Sequence, residues 1–141
     1  MLKGISPLLS PELLKILAEM GHGDEIVFGD ANFPAVSMAQ RLVRADGHGI
    51  PELLEAVLEL FPLNHYVTHP VMLMQVVPGD PVETPVWDVY RGLVDKVEEG
   101  IDFAEIERSE FYERAKKAYA VIATGEKALY GNVILSKGVI G

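Results

Sequence analysis

The side chains best able to do chemistry are concentrated in one stretch, Gly21-His22-Gly23-Asp24-Glu25-Ile26-Val27-Phe28-Gly29-Asp30-Ala31-Asn32-Phe33-Pro34. His22 sits between two glycines, which permit positive φ and leave its ring unobstructed. An imidazole in that setting suits proton exchange near neutral pH. An exposed loop histidine, or one bonding a helix-terminal carbonyl, would look the same. Asp24 and Asp30 could accept hydrogen bonds from ligand hydroxyls or orient His22, and aspartates also cap turns.

A second group lies near the C-terminus, Tyr130-Gly131-Asn132. A phenol and a carboxamide offer donors and acceptors together, which suits a polyhydroxyl ligand. Gly and Asn are equally a turn signal. Arg108 carries a five-donor fork that could clamp a hydroxyl or carboxylate, or could stand free on the surface. Tyr119 opens an apolar run, and Trp87 has helical spacing, so both also read as core residues. His65 and His69 have no partner pattern and read as surface residues.

Other chemistries lack their signatures. His22, Asp24, Asp30 and His48 can be drawn as a metal cluster, but their spacing matches no established ligand pattern. Gly21-x-Gly23 precedes a strand instead of following one, so it is not a dinucleotide fingerprint. No Walker lysine and no Gly-x-Ser-x-Gly elbow is present. The absence of cysteine excludes thiolate nucleophiles, thiolate zinc sites and disulfides, and agrees with a reducing compartment. A net charge of −9 disfavours nucleic acid, an anionic membrane or a phosphorylated substrate. A neutral ligand fits better.

Positioning these residues requires a scaffold, and 141 residues suit one domain. Ser10 as N-cap, Pro11, and the Leu13, Leu14, Leu17 face predict a helix ending at Gly21. Further helices are predicted over Pro51–Phe61, Val86–Glu98 and Ser109–Lys117. The last should be capped by Ser109 and braced by Glu110–Arg114 and Glu113–Lys117. Apolar runs at Glu25–Phe28, Leu42–Ala45, Val71–Val77, Tyr119–Ala123 and Asn132–Leu135 are continuous, the mark of strands covered on both faces. The order predicts a three-layer α/β/α domain, residues 1–141, with a mostly parallel sheet. Ligands in such sheets bind beyond the strands' carboxyl ends. Polar segments follow three predicted strands there: Asp30-Ala31-Asn32, Asp46-Gly47-His48 and Gly125-Glu126-Lys127. Pro78–Pro85 reads as an exposed loop. No run approaches the ~18 apolar residues of a membrane span. Pro7, Pro11, Glu12 and Lys15 interrupt any signal-peptide core, so the cytoplasm is the expected location.

Several segments together resemble the L-fucose mutarotase family. They are Leu2-Lys3-Gly4-Ile5-Ser6-Pro7-Leu8-Leu9-Ser10-Pro11-Glu12-Leu13-Leu14-Lys15, Gly21-His22-Gly23-Asp24, Asp30-Ala31-Asn32-Phe33-Pro34, Phe111-Tyr112-Glu113-Arg114-Ala115, Tyr130-Gly131-Asn132 and Lys137-Gly138-Val139. The likeness covers essentially the whole chain and is weakest from Pro78 to Ile106. D-ribose pyranases share the glycine–histidine turn, the aspartate and the tyrosine–asparagine pair. Phe33-Pro34 and Phe111-Tyr112-Glu113-Arg114 point to the fucose branch. The resemblance implies anomer interconversion of a free monosaccharide in a ring-like homodecamer, with no metal and no cofactor. It implies His22 as general acid/base and Tyr130 as part of the pocket, and a second proton-transfer group would be Tyr130, Tyr119 or a bound water. It implies Asp30, Arg108, Gly131 and Asn132 as sugar contacts, and a C-terminal segment able to reach a neighbouring subunit's site. Tyr119 is a further candidate contact, since some members carry tyrosine there and others phenylalanine. The alternatives are a D-ribose pyranase and a non-catalytic monosaccharide-binding subunit.

Overall fold

Ser10 accepts a hydrogen bond from the Leu13 N–H at 3.1 Å, and Pro11 fills the first helical position. The first helix therefore starts where the sequence predicts. The computed structural model describes residues 1–141. Its elements are α1 (Pro11–Glu19), β1 (Glu25–Gly29), α2 (Ala35–Met38), β2 (Leu42–Ala45), α3 (Ile50–Leu58), β3 (Val71–Met74), α4 (Pro85–Val97), β4 (Phe103–Ile106), α5 (Arg108–Lys117), β5 (Ala120–Thr124) and β6 (Val133–Ser136).

Strand alternation sorts the core into two halves. Ile26, Phe28, Leu73, Ile122, Val133 and Leu135 pack on one face against α1, α3 and α4. Val27, Met72, Met74, Val121 and Ile134 pack on the other face with Phe33, with Ala35 of α2, and with Phe111 and Ala115 of α5. Apolar residues recur at successive positions of the central strands because helices cover both sides. This is the expected α/β/α sandwich.

The six strands run in the order β2-β5-β1-β6-β3-β4. Five are mutually parallel, and β6 lies antiparallel between β1 and β3. Chain length explains the exception. The connection from Gly125 to Asn132 is shorter than the dozen or so residues of a parallel crossover. The chain therefore re-enters the sheet from the edge it has just left.

Two elements carry no clear sequence signal. β4 is a half-exposed edge strand interrupted by Glu105, so it shows no apolar run. α2 is a single short helix. The last helix also differs from expectation. It begins at Arg108 with Glu107 at the cap, not at Ser109. Its expected internal pairs are replaced, because Arg114 reaches Glu25 on β1 and Lys116 bonds Glu113.

This topology makes the two sheet edges unlike. One edge gathers the carboxyl ends of β1 to β5 and the start of β6. The other gathers the segment before β1, the start of β5 and the end of β6. The connection from β1 leads towards β2, whereas that from β3 leads to β4 on the opposite side. A crevice forms where such connections diverge.

Candidate functional site

The crevice holds most of the residues that the sequence singles out. Asp30, Asn32, Phe33, Met74, Val77, Asp80, Arg108, Tyr112, Tyr130 and Asn132 line a cleft of about 330 Å³. That size suits a small ligand.

Asp30 follows β1 directly and is buried, at 8% exposure. Its carboxylate accepts the Asn32 N–H at 3.0 Å, and the amides of Gly131 and Phe33 also serve it. Burial nonetheless pushes its titration above the ordinary aspartate range, with Glu126 adding to the shift and the three amides opposing it. A carboxyl raised by folding contributes stability below its unfolded titration, and that contribution is lost as pH rises through the folded one. Asp30→Asn should therefore leave thermal stability at neutral pH unchanged or slightly higher while weakening sugar binding. Thermal melts at several pH values, paired with calorimetric titration of sugar, check both halves.

Asn132 immediately precedes β6, beside Asp30, and is 5% exposed. Its Oδ1 accepts the Asp30 N–H at 2.7 Å. The Nδ2 hydrogens make no bond within the chain and remain available to a ligand. Arg108, the first residue of α5, donates through Nε to the Tyr112 hydroxyl at 3.1 Å and lies 5.2 Å from that ring's centre. Its terminal nitrogens enter no ion pair. Tyr112 stands one turn further along α5, edge-on to Phe33 at 5.9 Å. It joins the cleft as a residue that the sequence reading used only as a family marker. Its signal was the i,i+4 spacing from Arg108.

Tyr130 is the one non-glycine residue with positive φ, at 56°. A bulky side chain in this conformation is strained and must be held by its surroundings. Helix α4 does the holding. Trp87 Nε1 donates to the Tyr130 carbonyl at 2.8 Å, and the Tyr90 hydroxyl donates to the Gly131 carbonyl at 2.7 Å. Trp87 is thus a core residue, as its spacing suggests, with its polar end spent on the site. A side chain at Gly131 would be crowded. A Cβ would sit 3.0 Å from the Ala128 carbonyl oxygen and 3.4 Å from the Tyr90 hydroxyl. Tyr90→Phe would leave a buried carbonyl without its donor and should cost about 1–3 kcal/mol. A urea unfolding curve measures this, and an unchanged midpoint would show that the bond does not hold the turn.

The Tyr130 hydroxyl donates to Asp80 Oδ2 at 2.7 Å and accepts the Val77 N–H at 3.3 Å. Asp80 is a cleft residue that sequence reasoning missed, although the Pro78-Gly79-Asp80 turn signal marked its place. The bond to Asp80 raises the Tyr130 titration above the usual tyrosine range, and the Val77 amide partly opposes it.

His22 and Tyr119 lie elsewhere. His22 precedes β1, and Tyr119 immediately precedes β5, so both stand at the other sheet edge. At about 3.3 Å per strand residue, β1 and its flanks keep His22 about 20 Å from Asp30. His22, Asp24, Asp30 and His48 therefore do not converge, and no three metal-ligating side chains cluster anywhere in the chain. The expectation that Tyr119 joins Asp30 in one pocket is not met within the chain. Its hydroxyl donates to Glu19 Oε2 at 2.7 Å, and Arg41 covers its ring at 3.9 Å.

His22 is exposed, but its ring is fixed. Nε2 lies 3.1 Å from Asn64 Oδ1, and the Tyr66 ring packs at 4.9 Å. Asn64 is buried and uses the same Oδ1 to accept the Tyr66 N–H, while its Nδ2 donates to Ser136 Oγ. The amide orientation follows from these two bonds. Its oxygen faces His22, so Nε2 carries the proton, and in the neutral ring Nδ1 is the free acceptor. Lys137 donates to the Leu17 and Met20 carbonyls at 2.8 and 2.6 Å, closing the end of α1 beside His22.

Comparison with known proteins extends this description. Residues 3–140 match the model of the RbsD / FucU transport protein family. A human protein named fucose mutarotase is 58% identical over 99% of this chain and 94% of its own length. An L-fucose mutarotase from Actinobacillus pleuropneumoniae is 53% identical over 99% of this chain and 97% of its own. The crystal structure of a fucose mutarotase from Streptococcus pneumoniae in complex with L-fucose superposes with a TM-score of 0.93 at 49% identity. That match covers 99% of this chain and all of the other. On its sequence and its fold, the chain belongs to the RbsD / FucU family.

Proposed function

We propose that this protein is an L-fucose mutarotase, an isomerase that interconverts the α and β anomers of the free sugar. The supporting observation is a cleft whose free groups suit a neutral polyhydroxyl ligand, in a chain at least 53% identical over nearly its full length to proteins named for that activity. The Asn132 amide, the Arg108 guanidinium and the Asp30 carboxylate bind hydroxyls. Phe33, Met74 and Tyr112 offer apolar surface to the sugar's C–H face.

Mutarotation needs little machinery. The anomeric hydroxyl loses a proton, the ring oxygen gains one, and the C1–ring oxygen bond breaks to leave the open-chain aldehyde. Rotation about C1–C2 presents the other carbonyl face, and the reverse transfers close the ring. Two groups that trade protons suffice, and general acid–base catalysis contributes about 10²–10⁴-fold. His22 and Tyr130 are the two groups in this reading. Tyr130 is taken over Tyr119 because it lines the cleft with Asp30, Arg108 and Asn132, and Tyr119 does not.

His22 and Tyr130 lie at opposite sheet edges, so a single chain cannot present both to one sugar. The reading therefore includes assembly. The His22 edge of one copy meets the cleft of the next and completes its site. Exposed apolar residues at both ends support such head-to-tail contact. Leu2, Val139 and Ile140 lie at the His22 end, and Val77 and Leu129 lie at the cleft. Head-to-tail contacts that close generate rings, and the family resemblance proposes a decamer. The cytoplasm is the proposed location, in keeping with a cysteine-free chain. Polarimetry on a freshly dissolved single anomer of L-fucose tests the activity. Faster approach to equilibrium with protein supports it, and an unchanged rate counts against it.

A further inference from the structure

We infer that Asp80 is the terminal proton acceptor of a two-step relay through Tyr130, which makes Tyr130 the base that deprotonates the anomeric hydroxyl and His22 the acid. The inference rests on the mutarotase reading above and assigns the direction of each transfer within it.

Val77-Pro78-Gly79-Asp80 closes with the Asp80 N–H bonding the Val77 carbonyl at 3.0 Å, and Gly79 has φ 89°. Proline at the second position and a positive-φ glycine at the third define a type II turn. Its two ends grip one atom. The Val77 N–H donates to the Tyr130 hydroxyl oxygen, and the Asp80 carboxylate accepts from that hydroxyl. Both residues also line the cleft.

This geometry leaves Tyr130 a single role towards a ligand. A phenol has one proton and two acceptor lone pairs. The proton points at Asp80 and one lone pair takes the Val77 N–H, so only a lone pair faces the cleft. In ring opening Tyr130 therefore receives a proton from the sugar, and on closure it returns one as Asp80 restores its own. A neutral phenol is a weak base by itself. It becomes competent if its own proton passes to Asp80 as the new one arrives, so that no phenolate forms. The raised Tyr130 titration agrees with a proton held firmly on oxygen until that moment. Arg108 is the cationic group facing Tyr130, and it favours negative charge developing there.

The step balances. The O1–H bond breaks and its proton joins the Tyr130 oxygen, while the Tyr130 proton moves to Asp80 Oδ2. The O1 electrons form the C1=O1 double bond as the C1–ring oxygen bond breaks. The ring oxygen then takes a proton from His22. Opening thus leaves Asp80 protonated and His22 neutral, and closure on the other face restores both. In this relay Asp80 acts through Tyr130, whose hydroxyl hydrogen bond it accepts.

Asp80→Asn is the informative variant, because an amide oxygen can still accept the Tyr130 hydrogen bond but cannot take the proton. Exchange rates across a fucose concentration series should show kcat falling about 10²-fold, the lower end for general acid–base catalysis, with KM little changed. The wild-type proton inventory in mixed H2O and D2O should be bowed, as for two protons in flight. Tyr130→Phe should remove little more from Asp80→Asn than Asp80→Asn removes alone. A wild-type exchange rate in Asp80→Asn would overturn the relay while leaving the mutarotase reading intact. Absence of exchange in the wild type would overturn both. The contact has its own readout in the ultraviolet phenol titration, with Tyr130→Phe marking the relevant transition. Asp80→Asn should bring that transition down towards the ordinary tyrosine range, and an unmoved transition would remove the basis for the relay.

Discussion

Replacing His22 with alanine is expected to slow enzyme-dependent anomer exchange about 10²–10⁴-fold, the full contribution of a general acid–base group. The fold should survive, because His22 is exposed and lies outside both core clusters. Its removal costs one hydrogen bond, Nε2 to Asn64 Oδ1, and Asn64 retains its bonds to Tyr66 and Ser136. The thermal midpoint should therefore move little while the rate collapses. The two readouts separate chemistry from stability. A variant that melts like the wild type and also exchanges anomers at its rate would remove His22 from the mechanism. Sugar affinity offers a third check. Asp30, Arg108 and Asn132 lie at the other edge of the same chain, so binding should weaken far less than turnover.

The second large effect concerns assembly. His22→Ala keeps an intact cleft, and Asp30→Asn keeps an intact His22. His22→Ala should be nearly inactive alone, and Asp30→Asn should turn over little at sugar concentrations well below its weakened KM. If every site takes His22 from one copy and Asp30 from the next, mixed assemblies will contain repaired sites. Random co-assembly of equal amounts should make about a quarter of the sites whole. Unfolding and refolding the two variants together, followed by an exchange assay, gives the answer. Activity well above either parent supports the shared site. Activity no higher than the parents would mean that the site lies within one chain, against the separation that β1 imposes. The assembly itself is read from the mass of the wild-type particle by light scattering.

Much of this arrangement was legible in the residues, and the gaps have physical causes. The caps of α1 and the apolar runs of β1, β2, β3, β5 and β6 are local signals, and the elements formed there. The edge strand β4 escaped because half-exposed strands need no apolar run. The antiparallel direction of β6 depends on the length of the connection before it, not on its own composition. Asp30, Asn132, Tyr130 and Arg108 converge as expected because strand ends and one short connection deliver them to a common edge. The separation of His22 from Asp30 was hidden by their closeness in sequence. Eight positions apart reads as proximity, but a strand between them makes it a span of about 20 Å. Asp80 was missed because its partner lies 50 positions away. No local pattern links a Pro-Gly-Asp turn to a tyrosine hydroxyl. Tyr119 stands at the His22 edge, with its hydroxyl bonded to Glu19, a contact 100 positions away that no local pattern announces.

The most direct test of the central claim is saturation-transfer NMR on equilibrated L-fucose, with and without the protein, repeated with D-ribose. Saturating one anomeric proton should diminish the other only when the protein is present, and fucose should respond more strongly than ribose. Protein-independent transfer for fucose, or a stronger response from ribose, would contradict the assignment of this chain as an L-fucose mutarotase.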